Sequence, residues 1–270
     1  MSLAPEITDK LSQEGIFFQR WCAEKIKSRG WGILDIEFPF TYPRSSDYSI
    51  GKAGVLDIYA FTKHSDSDMM ICALVECKKA HPEFKTWIFF NKQTANNLGF
   101  IQIHEGQSEV QFCKPYFPST TPLLTYDARE VQTNKVKISH GKNEDNRIQY
   151  GSYQISHAVV GIIEDMLRMR SLGLRKYSVA IQLIFPVIIT TAELYVCQYS
   201  PSDVNELGDL KHKDEMYTKV EWLLYEYPLP DYLKLPHPDL ADRKRQIIVV
   251  NSRYIDKIFD ELKGVIIPSG

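Results

Sequence analysis

The sequence predicts an α/β domain, a mixed β-sheet flanked by helices. Three observations lead there. Two apolar β-like runs, at about 54–62 and 69–78, are separated by the polar string HSDSD (64–68) and read as a hairpin. Helical patterns stand before and after it, over Ile7–Ser28 and in GSYQISHAVVGIIEDMLRMR. The 15 Tyr and 13 Phe suit a large β content.

In the first helix Ile7, Leu11, Phe18, Trp21 and Cys22 recur at helical spacing, and Gly30 and Gly32 end it. Ile33–Tyr42 reads as a strand, followed by the polar turn PRSSDYS and then the hairpin. Residues 84–99 read as a short helix. Residues 100–150 carry Gly, Pro and charge with short β-like pieces (VQFC, KVKIS), and read as an insertion or irregular region within a single domain spanning 1–270. The long helix that follows has an apolar stripe of Ile155, Val159, Ile162, Ile163 and Leu167. Two β-rich segments, about 177–186 and 187–199, meet at Pro186, which marks a break or an edge. VEWLLYEYPL and RQIIVV are further strands, DRKRQ (242–246) reads as a basic loop, and SRYIDKIFDELKG is a closing helix with Gly264 after it.

The composition is that of an ordinary globular chain, 44% hydrophobic and 24% charged. No apolar run reaches the roughly 18–20 residues of a membrane span, and MSLAPEITDKLSQEG lacks the pattern of a signal peptide. Five cysteines without C-x-x-C spacing point to buried thiols in a reduced, cytoplasmic protein and away from a zinc site. A net charge of −2 does not advertise a nucleic-acid binder, yet a local basic cleft can coexist with an acidic exterior.

The hairpin carries unexpected chemistry. Asp57 interrupts one apolar run, and Glu76 and Lys78 interrupt the other. Side-chain alternation puts Leu74, Glu76 and Lys78 on one face, and Val55, Asp57, Tyr59 and Phe61 on one face of the first strand. Pairing about a centre near Asp66 sets Asp57 opposite Val75 or Glu76; the second register makes the carboxylates neighbours. Two close, dehydrated carboxylates repel, and a divalent cation relieves both costs. A lysine on the same face can orient or deprotonate a water, or stabilise charge on a phosphorane-like transition state.

Asp57 followed by Glu76-Cys77-Lys78 on a hairpin resembles the PD-(D/E)xK nuclease superfamily, with its restriction-endonuclease-like fold. The residue before the Asp is Leu56 rather than Pro. The resemblance implies that Asp57 and Glu76 bind Mg²⁺ or Mn²⁺, that the Cys77 backbone carbonyl assists, and that Lys78 serves catalysis. It implies a further acid from the first helix, matched by Glu14 with Glu24 as a weaker choice, and a polar residue on a later helix, matched by Gln154. The implied substrate is DNA, double-stranded first, and the implied assembly includes a homodimer, since members that cut both strands often pair. Lys79, His81, Lys85 and Lys92 follow the motif as candidate phosphate contacts. His157 reads as structural, and Trp87, Phe89 and Phe90 as core rather than base-stacking residues. The alternatives are a catalytically silent nucleic-acid-binding or assembly module of the same fold, and an α/β interaction protein with Asp57 and Glu76 on opposite faces.

Overall fold

The computed structural model describes residues 15–41, 53–65, 67, 69–81, 83–92, 99–104, 110–118, 122–132, 137–138, 147–171, 181–211, 216–228 and 244–267. Helix α1 (Ile16–Ser28) leads into an antiparallel meander of β1 (Gly32–Thr41), β2 (Ala53–Lys63) and β3 (Met69–Lys78). Helix α2 (Arg147–Ser171) then precedes β9 (Ile181–Thr190), which lies parallel to β3, and β13 (Lys244–Asn251) lies parallel to β9. Helix α3 (Ile255–Lys263) closes the order.

The three α-helices of the described residues divide between the faces of this sheet. Cys22, Ala23 and Ile26 of α1 and Ile258, Phe259 and Leu262 of α3 pack on Ile71, Ala73 and Val75 of β3 and Leu183, Phe185 and Val187 of β9. Ile155, Val159 and Ile163 of α2 pack on Cys72 and Leu74 of β3 and Ile184 and Ile188 of β9. Strands β3 and β9 are therefore apolar on both sides, as covered parallel strands are. Trp31 fastens the α1–α3 layer: its indole N–H donates to the Phe259 carbonyl at 3.1 Å.

Several expectations change. Residues 86–91 form strand β4 (Thr86–Asn91), not a helix; Trp87 and Phe89 are fully buried, the period of a strand. The region 100–150 is woven into the sheet through β5 (Phe100–His104), β6 (Val110–Cys113), β7 (Leu124–Gln132) and β8 (Lys137–Ile138). Strand β9 runs unbroken through Pro186. On one edge β5 pairs with residues 181–184 and β13 with 187–190, so the proline, which has no N–H to donate, falls in the gap between two partners. Within DRKRQ, Arg245 and Gln246 are buried strand residues of β13, with the Arg245 guanidinium 5.4 Å above the Phe112 ring. In α1 the buried set is Gln19, Cys22, Ala23 and Ile26, while Trp21 is 45% exposed. The expected helix before residue 15, with Glu14, and the turn at 43–49 lie outside the described residues.

The remaining strands are β10 (Glu193–Cys197), β11 (Tyr217–Val220) and β12 (Trp222–Pro228). The thirteen strands of the described residues form one sheet whose main path is β1-β2-β3-β9-β13-β12-β7-β4-β10-β11. Only Thr191 and Ala192 separate β9 from β10, yet β10 stands five places further along. Five strand spacings are about 24 Å, beyond the reach of two linking residues, so the sheet must curl back on itself. The Asn251 side-chain amide closes the curl by donating to the Ala192 carbonyl at 2.6 Å.

Candidate active site

The hairpin register is the one that makes the carboxylates neighbours. The ladder pairs Ile58 with Val75 and Tyr59 with Leu74, so one step further sets Asp57 against Glu76. The step is irregular. The β1–β2 ladder pairs Ile36 with Ile58 and Phe38 with Leu56, passing over Glu37 and Asp57, and Glu37 has a left-handed φ of 63°. One consequence alters the expected face: Leu56 joins Tyr59 in the core beneath α2, while Val55 is 48% exposed.

Asp57 is held through bonds outside the ladder. Its Oδ2 accepts from the Cys77 N–H at 2.6 Å, and its backbone carbonyl accepts from the buried Gln19 amide of α1 at 2.9 Å. Burial raises the Asp57 carboxyl above its ordinary range; the Cys77 N–H and Lys78 oppose this, and Glu37 adds to it.

Glu76 is 1% exposed. Its Oε1 accepts from Lys78 Nζ at 2.6 Å, and its Oε2 is buried with no hydrogen-bond partner among the described residues. Burial and then the neighbouring Asp57 charge push its carboxyl up to about 8, outweighing the pull of Lys78 and of the Asp57 backbone N–H. Lys78 also donates to Gln154 Oε1 at 2.7 Å, so its ammonium sits between a β3 carboxylate and an α2 amide. The Tyr150 ring covers it at 5.1 Å and is itself 58% exposed. A Cβ on Gly151 would come within 3.1 Å of Lys78 Cε, so the glycine admits the lysine stem against the helix.

The start of α2 is fixed from two sides. Buried Glu130 of β7 accepts from the Ile148 N–H at 3.0 Å, and the Arg147 guanidinium donates to the Lys79 carbonyl. Arg147, Tyr150/Gly151 and Gln154 follow at helical spacing, so one face of α2 meets the end of β3.

Asp57, Glu76, Lys78 and Gln154 thus converge. The Cys77 side chain lies on the other face, where burial keeps its thiol protonated beside the Cys22 thiol. Glu24 is exposed. Lys79 and His81 follow β3 directly, with the His81 ring 5.6 Å from Phe84, and Lys85 is exposed at the head of β4. Lys92 is committed to a buried ion pair with Glu226 of β12. His157 is buried and bonds the Tyr153 carbonyl through Nδ1 at 2.8 Å; Trp87 and Phe89 are core. Gln19, Glu37, Glu130, Tyr150 and Gly151 were missed by sequence reasoning. A glycine inside a helical pattern is the one local signal among them, since it marks close approach.

The buried Glu76 Oε2, unpaired among the described residues and beside Asp57, fits a divalent cation. Among the described residues no group of three or more His, Cys, Asp or Glu side chains is gathered as a cage, so this part of the site offers two carboxylates. No family model, curated protein or solved structure matches the chain. Among the described residues no helix is long and apolar enough to cross a membrane.

Proposed function

We propose that the protein is a divalent-cation-dependent deoxyribonuclease of the PD-(D/E)xK class, acting on DNA in a reduced, cytoplasmic setting. The observation that carries this reading is the Lys78 ammonium, held between Glu76 and Gln154 beside the Asp57–Glu76 carboxylate pair. The order helix, three-strand meander, helix, parallel strand supports a restriction-endonuclease-like core.

Asp57 and Glu76 would hold Mg²⁺ or Mn²⁺, with the Cys77 carbonyl and Glu14 as further donors. Bound there, the cation would supply positive charge to the reacting phosphate. Lys78 orients the attacking water or stabilises charge developing on the phosphate oxygens. Gln154 and Glu76 fix the direction of its ammonium, and Gly151 gives the stem room. Lys79, His81 and Lys85 lie on the chain leaving the site, where a DNA backbone would pass.

The test is cleavage of plasmid and linear DNA with Mg²⁺ or Mn²⁺ by wild type and by Asp57→Ala, Glu76→Ala and Lys78→Ala. Loss in all three folded variants supports the reading; activity that survives them ends it. The silent-module alternative draws on the Lys78–Glu76 ion pair, which satisfies half of Glu76 without a cation. It predicts no Mn²⁺ heat in calorimetry.

A further inference from the structure

A second surface stands apart from the carboxylates, on the outside of the curled sheet. Across four adjacent strands the register aligns Tyr217 of β11, Cys197 of β10, Phe90 of β4 and Tyr126 of β7. The next row is Lys219, Tyr195, Ile88 and Arg129. Residues directly opposed in a ladder share a face. The inner face of the same strands is core, with Leu194, Val196, Trp87 and Phe89 fully buried. Tyr126 and Tyr217 are 39% and 43% exposed. Tyr199 joins them, its hydroxyl 3.1 Å from that of Tyr126 and its ring edge-on to Phe90 at 6.2 Å.

The charge around these rings is cationic in a chain whose net charge is −2. Lys219 pairs with Glu193, Arg129 pairs with Asp127, and the charge of exposed Arg253 reaches Glu193. Among the described residues, three cations thus stand against two acids. The Lys219 and Arg129 pairs are solvent-exposed, so exchanging a carboxylate for a phosphate costs little. The face also adjoins the candidate active site: the Ala80 N–H, two residues past Lys78, donates to Thr191 Oγ1, two residues before Glu193, at 2.9 Å.

We propose that this face is a second nucleic-acid contact, a platform on which unpaired bases of a single strand stack while Lys219 and Arg129 meet its phosphates. Aromatic rings displayed across a β-sheet suit this ligand because every base has a π-face. The platform shares its ligand class with the proposed activity but none of its catalytic residues, and it holds or fails without cleavage.

The experiment is fluorescence anisotropy in EDTA, using the full chain and a labelled mixed-sequence 20-mer as single-stranded DNA, as RNA and as a blunt DNA duplex. Tyr126→Ala with Tyr217→Ala should weaken single-strand binding by about tenfold or more, since each substitution removes a ring on which a base stacks. Duplex binding should change little. Tyr126→Phe with Tyr217→Phe keeps the rings and should bind like wild type, which guards against a folding defect in the alanine pair. Lys219→Gln with Arg129→Gln should lower the salt slope by about 1.4. The DNA and RNA arms tell which strand is taken. Wild type that binds no single strand, or an alanine pair that binds as wild type does, overturns the proposal. So does an alanine pair that changes oligomeric state in light scattering at unchanged affinity, which would make the face a protein interface.

Discussion

Glu76→Gln tests the electrostatics of the site without any assumption about substrate. Glu76 binds its proton more tightly folded, at about 8, than at the ordinary value of 4.5. The stability this lends is complete below the unfolded value, and it is lost as pH rises toward the folded value. Each tenfold difference in proton affinity between the folded and unfolded chain is worth about 1.4 kcal/mol, so between pH 5.5 and 8 the cation-free protein should lose on the order of 3 kcal/mol from this group. Asp57, also raised by burial, acts in the same direction. Glutamine mimics the protonated acid and can still accept from Lys78, so the variant should lose the Glu76 part of this slope, keep only what Asp57 contributes, and be more stable than wild type at pH 8.

The assay is urea unfolding followed by circular dichroism at pH 5.5 and 8, in EDTA and again with excess Mn²⁺. Mn²⁺ should stabilise wild type at pH 8, by about 2.7 kcal/mol at a hundredfold excess over its dissociation constant, and the variant much less. Equal pH slopes in wild type and variant would refute the electrostatic argument. Equal Mn²⁺ shifts would refute Glu76 as a ligand.

Two further substitutions test how α2 is placed. Gly151→Ala puts a methyl within 3.1 Å of the Lys78 stem; DNA cleavage should fall about tenfold or more while the melting temperature holds or rises, because alanine favours the helix by roughly 1 kcal/mol. Glu130→Ala leaves the buried Ile148 N–H without its acceptor and should cost about 1–3 kcal/mol in urea unfolding, whereas Glu130→Gln should cost less.

The parts of this fold that were legible in sequence have local causes. The hairpin follows from two β-rich runs around a polar connector; its centre near Asp66 leaves two registers open, and the Ile58–Val75 pair selects the one that sets Asp57 against Glu76. The α2 stripe follows from its period: Ile155, Val159, Ile162 and Ile163 are all buried. Strand β4 was illegible because TWIFFN is apolar on both faces and shows no alternation; only the buried Trp87 and Phe89 reveal its period. The site divides the same way. Asp57, Glu76 and Lys78 stand out as charges in apolar strands. Gln19 and Glu130 look ordinary until the fold brings them to Asp57 and Ile148, 38 and 18 residues away.

The irregularity at Asp57 has no sequence signal, yet it decides how the site is held. In a regular strand the Cys77 N–H and the Asp57 carbonyl would be free to enter ladders; here one is taken by the Asp57 carboxylate and the other by Gln19. Glu37, passed over by the ladder beside Asp57, has a φ of 63°, a region that costs a non-glycine residue roughly 1–2 kcal/mol. Glycine has no such penalty, though its backbone entropy returns about 0.5–1 kcal/mol. Glu37→Gly should therefore unfold at equal or slightly higher urea, and more so above neutral pH, where it also removes the charge that opposes ionised Asp57. Its Mn²⁺ affinity should change less than tenfold if Asp57 is anchored by Cys77 and Gln19. A loss of more than about 1 kcal/mol would mean that the glutamate side chain, not the anchored carboxylate, holds the two strands in this shape.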